Sequence, residues 1–150
     1  MKIRKLTKQE VAGADYLVWN AYIDLLAMES LRDLSPVQRA AALVFWYESE
    51  VQNGGHLQYF ENRGADEIPA ALEALTTLGA HCQHGVLAEA SAVYLGHSRP
   101  VIASVEQYCE AALEGEFESF DSRFHACSPT LNDCLEAYLA QHPADFVLIQ

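Results

Sequence analysis

The sequence predicts an all-α fold, a compact bundle of about six to eight helices with short loops punctuated by Gly and Pro. Three observations lead there. Apolar residues recur at intervals of three and four along most of the chain, and Ser, Thr and Pro starts alternate with Gly stops. No alternating segment long enough for a sheet interrupts the series, and no fixed period repeats. At 150 residues, 51% of them apolar and 20% charged, the chain reads as one globular domain over residues 1–150 rather than as a disordered one.

The elements follow in order. Thr7 and Glu10 form a T-x-x-E capping box, after which Val11, Ala14, Leu17, Val18, Ala21, Tyr22, Leu25 and Leu26 mark a first helix, with a break expected near Gly13. Ser35-Pro36 opens a second helix carrying Val37, Ala40, Ala41, Val44, Tyr47 and Val51 inward, and Asn53-Gly54-Gly55 stops it. Short helices are predicted over 56–62, 69–78 and 82–95, ending at Gly64, Gly79 and Gly96. Pro100 is read as opening a helix that turns Val101, Val105, Tyr108, Cys109 and Ala112 to the core and closes at Gly115. Ser128-Pro129 is read as the cap of the last clear helix, running towards Gln141. Residues 116–127 are left unassigned, and Phe146-Val147-Leu148-Ile149 reads either as a terminal strand or as an apolar tail docked on the core.

Composition narrows the function classes. The basic residues Lys2, Arg4, Lys5 and Lys8 lead directly into Gln9 and Glu10, so no secretory signal is expected, and no run is long enough for a membrane span. Cys82, Cys109, Cys127 and Cys134 include no C-x-x-C pair and are read as small core residues in a reducing cytoplasm. The net charge is −12, and from Gln9 onward 21 acids face five bases, a balance of −16. Such a surface repels nucleic acid and attracts basic partners.

Catalytic signatures are missing: there is no G-x-S-x-G, no Walker loop, no G-x-G-x-x-G and no H-E-x-x-H. No catalytic residue, metal or cofactor is therefore expected. The best metal candidate is His81-Cys82-Gln83-His84, with His97, His125 or Cys127 as distant ligands, but no carboxylate accompanies it at ligand spacing. Ordinary surface histidines are the reading preferred. Glu48 and Glu50, two apart on a helix, point to different faces.

The most specific stretch is Glu50-Val51-Gln52-Asn53-Gly54-Gly55-His56-Leu57-Gln58-Tyr59-Phe60-Glu61-Asn62. Its glycines let one helix stop and another start within a corner, where the amides of Gln58 and Asn62, four apart, are expected to satisfy loose backbone groups. Tyr59 and Phe60 are expected to anchor the short helix. A ligand pocket lined by Asn53, Gln58 and Asn62 is the alternative.

This stretch resembles the signature E-V-x-N-G-G-x-x-Q-F-F-x-N of a bacterial family of DNA-mimic proteins. Glu50, Asn53, Gly54, Gly55, Gln58, Phe60 and Asn62 match position by position, and Leu75, Leu78, Gly79 and Ala80 resemble the segment that follows. His56 departs, since the family has a large aromatic there, and Tyr59 is a conservative change. The likeness is sharp over residues 35–80 and a matter of helix order beyond, to Tyr138-Leu139 and His142-Pro143-Ala144-Asp145-Phe146. It implies an all-α domain whose carboxylates stand in for duplex phosphates and capture a DNA-binding protein, a helix-turn-helix regulator among the candidates. The motif itself reads as scaffold, so mimicry would fall to exposed acids outside it.

Those acids have a pattern. Glu106, Glu110, Glu114 and Glu118 recur every four residues, and the first three should form a stripe on the helix opened by Pro100, with Asp121 beyond. Each step rises ~6 Å, close to the separation of successive phosphates, at a cost of roughly 0.2–0.5 kcal/mol per like-charged pair. These five residues are the partner-binding candidates; a merely solubilising face is the plain alternative. Three readings stay open: an acidic decoy for a DNA-binding protein, an immunity-type or antitoxin-type inhibitor, and a small-ligand or metal-dependent enzyme. Pairing of protomers in a homodimer would extend the acidic surface, but nothing in the sequence fixes an interface.

Overall fold

The apolar periodicity resolves into nine α-helices, two 3-10 turns and one pair of short strands in the computed structural model, which describes residues 1–150. Strand β1 (Arg4–Leu6) leads into α1 (Lys8–Val11) and α2 (Tyr16–Met28). The Thr7 hydroxyl accepts from the Glu10 amide while the Glu10 carboxylate accepts from the Thr7 amide at 2.7 Å, and Gly13, at φ 79°, makes the expected break between the two helices. The long α3 (Pro36–Arg63) starts on a second capping box, Ser35 with Gln38. Next come α4 (Ile68–Thr77), α5 (His81–Leu95), α6 (Val105–Leu113), α7 (Glu118–Ala126), α8 (Leu131–Gln141), α9 (Pro143–Phe146) and strand β2 (Val147–Ile149). The tail is thus a strand, paired in parallel with β1.

The core is built around α3. Ala41 and Ala42 have side chains small enough for neighbouring helices to approach closely, and Val44, Tyr47, Val51, Tyr59 and Phe60 fill the space between them. Against this axis pack Tyr22, Leu25 and Leu26 of α2, Leu75 of α4, Leu87 of α5, Phe124 of α7 and Leu131 and Leu135 of α8. Each leucine or phenylalanine among them contributes about 1.5–3 kcal/mol on full burial. No helix is long and apolar enough to cross a membrane.

Three sequence readings are corrected. The last long helix is capped by Thr130, not by Ser128: Thr130 and Asp133 bond reciprocally, which leaves the cis Ser128-Pro129 step in the preceding loop. The helix assigned to Pro100 begins at Val105, because Ser104 accepts from the Gln107 amide and the Gln107 side chain accepts from the Ala103 amide. Of the residues expected inside, Val101, Val105, Cys109 and Ala112 are exposed and only Tyr108 is half-buried; no residue of α6 is fully buried. Nor are the cysteines four core residues. Cys82 and Cys127 form a disulfide, Cys109 is exposed, and only Cys134 fits the reading of a buried thiol. A separation of 45 residues hides that pairing from the sequence, since only the fold sets the start of α5 beside the end of α7. Cysteine usage therefore gives no support to a reducing compartment.

One buried polar residue ties the chain's two ends to the start of α3. Gln38 is wholly buried, and its amide donates to the Lys2 carbonyl and, at 2.6 Å, to the Asp145 carbonyl. Its side-chain oxygen accepts from the Ser35 amide at 3.1 Å. Gln38→Met keeps the volume and strands two carbonyls, so a loss of roughly 1–3 kcal/mol is expected. Denaturant unfolding measures the loss, and amide exchange should rise first along the β1–β2 pair; unchanged stability would show that these bonds are not made in solution.

Candidate functional site

The site starts from the bend in α3. Helical geometry runs up to Asn53 and resumes at His56, while Gly54 (φ −152°, ψ 19°) and Gly55 (φ 73°, ψ −173°) leave it. Both glycines are required by space. A β-carbon on Gly54 would collide with the Gln58 side chain, and one on Gly55 would collide with the Asp121 carboxylate as well as meet the strain of a positive φ.

The motif's polar side chains bind one another across this bend. Asn53 donates to the Gln58 oxygen at 3.1 Å, and Gln58 and Asn62 donate to the same Glu50 oxygen at 2.8 and 2.9 Å. The amides therefore satisfy Glu50 rather than loose backbone groups, because helical turns continue on both sides of the bend. None of the three lines the cleft that opens between α6, the bend and the start of α7. Tyr59 and Phe60 anchor the second arm as expected, Phe60 stacking on Tyr94 at 4.4 Å and Tyr59 meeting Tyr47 edge-on at 4.9 Å.

His56 explains its own departure from the family pattern. It is wholly buried among Phe60, Phe120 and Phe124, so the ring fills an aromatic's place while its two nitrogens find partners. Nε2 meets the Tyr47 hydroxyl at 2.7 Å, Nδ1 meets Asp121 Oδ1 at 2.6 Å, and the His56 backbone amide donates to that same oxygen at 2.9 Å. Burial alone would raise the Asp121 carboxyl, but the His56 ring and amide outweigh it and hold the group below the usual range. Asp121, with its side chain 30% exposed, thus spends its charge on the bend.

The remaining candidates behave differently. Glu106 and Glu110 lie on α6, Glu114 caps its C-terminus and Glu118 opens α7; all four are exposed, and none makes an ion pair or a side-chain hydrogen bond. Nearby acids are paired: Glu116 with Arg99, and Glu89 with Arg123. Bonding to Arg99 holds the Glu116 carboxyl below its ordinary value.

Between α6, the bend and the start of α7 opens a cleft of about 360 Å³. Glu110, Glu114, Glu118 and Asp121 line it with Glu61 and Glu116, while Glu106 stands outside on the same helix. Arg99 is the only basic side chain in the lining, and it is occupied: it lies over Tyr94 at 4.8 Å and Phe117 at 5.3 Å and bonds to Glu116. The sequence reading missed Glu61 and Glu116. Leu57 and Glu61, four apart, signal a shared face, but nothing local says that α6 lies opposite.

The H-C-Q-H stretch has other duties. Cys82 is bonded to Cys127, Gln83 is buried and donates to the Pro129 carbonyl at 2.7 Å, and no group of three or more His, Cys, Asp or Glu converges at metal-ligand spacing.

Fold and site together define an acidic all-helical protein whose uncompensated carboxylates gather along one helix and cleft. Residues 32–142 match the family described as DMP19-like protein, and the chain belongs to that family, the DNA-mimic family whose motif it carries. No match was found among curated proteins or among solved structures. The family match extends the likeness from residues 35–80 to the end of α8.

Two outcomes test the bend. Gly55→Ala should cost about 1–3 kcal/mol from its Gly-only backbone conformation alone, and more from displacing Asp121; in an Asp121→Ala background the second part should vanish. Equal penalties in both backgrounds, read from denaturant unfolding, would remove Asp121 from the bend. Because the Asp121 carboxyl is lowered, its stabilisation is full above about pH 4 and is lost as the pH falls through the folded value. The stability gap between the chain and Asp121→Asn should therefore narrow on acidification, and a gap that widened below pH 4 would contradict the assignment.

Proposed function

We propose that the chain is a non-enzymatic binding module that offers the edge formed by Glu106, Glu110, Glu114 and Glu118 to the basic DNA-reading surface of a bacterial DNA-binding protein, in place of duplex phosphates. A cytoplasmic helix-turn-helix regulator has the required chemistry. The observation that carries the reading is the absence of counter-charge on these four glutamates, although Arg99 and Arg123 lie on neighbouring segments and are bonded elsewhere. Family membership supports it independently.

The physics runs in one direction. Glutamates four apart on a helix repel one another and cost roughly 0.2–0.5 kcal/mol per pair, a cost that a basic partner reverses. Their rise of ~6 Å per step lets successive lysine or arginine side chains that normally meet phosphates find carboxylates instead. With a net charge of −12 the chain itself gains nothing from nucleic acid, so DNA and this protein become competitors for one surface.

Competition is the test. With a helix-turn-helix regulator bound to its operator as probe, the chain should displace the DNA, and Glu106→Gln/Glu110→Gln/Glu114→Gln should weaken displacement by at least about tenfold. Neutralising the exposed Asp66 and Glu73 should matter less. Displacement should also fall as salt is raised, because exposed charges are screened beyond ~8 Å at physiological ionic strength. If every variant displaces the operator equally, the α6 edge is not the mimic.

A further inference from the structure

Helix α6 is mounted with its apolar side outward. Val105, Cys109 and Leu113 share one face by their spacing, and all three are exposed and lie outside the cleft lining, Val105 at 79% and Leu113 at 86%. Val101, before the helix, is 86% exposed but lines the cleft rather than the outward strip. The body is met by the other side: Gln107, Ala111 and Ala112 line the cleft, and the Tyr108 hydroxyl donates to the Gly54 carbonyl at 3.4 Å. A surface helix ordinarily turns its apolar stripe to the core, so this is the reverse arrangement. The base of the excursion is also held, since Arg99 donates to the Val93 and Tyr94 carbonyls and bonds to Glu116.

We propose that this outward face completes the docking surface by receiving an amphipathic helix of the partner, one whose apolar stripe is flanked by lysine or arginine. The inference rests on the reading above that the acidic edge binds a basic protein. Charge complementarity identifies the occupant. Glu106, Glu110 and Glu114 each follow Val105, Cys109 and Leu113 by one residue, so unpaired carboxylates border the apolar strip along its whole length. A purely apolar occupant would cover the strip and desolvate those carboxylates without a partner, while a purely cationic one would leave the strip in water. A second copy of the chain would bring the same glutamates and another −12 of charge. An amphipathic basic helix satisfies both halves, with apolar anchors at helical spacing and cations beside them.

Two synthetic peptides of about 18 residues provide the probe, with identical Leu, Lys and Ala content; in one the leucines form a single helical face, in the other they are shuffled around it. The patterned peptide should bind at least about tenfold more tightly than the shuffled one. Val105→Ser/Leu113→Ser, which changes only exposed side chains, should abolish that preference with helicity unchanged by circular dichroism. Glu106→Gln/Glu110→Gln/Glu114→Gln should weaken both peptides. Equal affinity for the two peptides, or a preference that survives Val105→Ser/Leu113→Ser, overturns the proposal. So does sedimentation showing a dimer that Val105→Ser/Leu113→Ser converts to monomer, since the occupant is then a second copy. The operator competition separates the two readings: displacement lost with the glutamates but no peptide preference sinks the apolar strip alone, whereas displacement indifferent to the glutamates sinks the acidic edge itself.

Discussion

The bend at Gly54-Gly55, closed by Asp121, is the contact from which the rest of the architecture follows. A straight helix of 28 residues would run about 42 Å. Its second arm would then carry Tyr59 and Phe60 past the core instead of into it. Bending brings Tyr59 onto Tyr47 and Phe60 onto Tyr94, and the positive φ that this requires is admitted by glycine alone without strain. Asp121 then joins two segments 65 residues apart by accepting both the amide and the ring of His56. Since Asp121 lies on α7, the same contact sets where Glu118 stands and how wide the cleft opens. The family motif and the acidic edge thus meet at one place, the motif as the frame and the edge as what the frame presents.

Charge is divided in the same way. Arg4 holds Asp24 and Glu29, Arg63 holds Glu67, Arg99 holds Glu116 and Arg123 holds Glu89. Arg39 bonds to the carbonyls of Leu31 and Leu34. Of the few bases beyond the N-terminal segment, Arg39, Arg63, Arg99 and Arg123 are bonded to other groups, and the α6 edge is left with none. An exposed ion pair is worth little to stability, so the importance of this arrangement lies in which acids remain available rather than in the energy of those paired. The segment bearing the free acids is also the one whose apolar side finds no core, so charge and hydrophobic surface are offered together.

What the sequence determined by itself was local. The capping residues Thr7 and Ser35 marked helix starts that the structure has, Gly13 marked a break, the recurrence of apolar residues placed Tyr22, Val44 and Tyr47 in the core, and Phe60 was read as the anchor of its short helix. The stripe of Glu106, Glu110 and Glu114 was legible too, because a helix maps every fourth residue to one face whatever surrounds it. Tertiary structure decided everything that depends on a distant neighbour. Periodicity shows that α6 is amphipathic, but which side meets the body depends on the bend and the cleft opposite. Composition shows four cysteines, but only the packing of α5 against α7 pairs Cys82 with Cys127. The duties of Gln38 and Asp121 were equally hidden, since their partners lie up to 107 and 65 residues away. Caps, stops and periodicity act within a few turns of chain, whereas buried polar partnerships and the facing of a helix are settled only when segments distant in sequence come to share the same desolvated space.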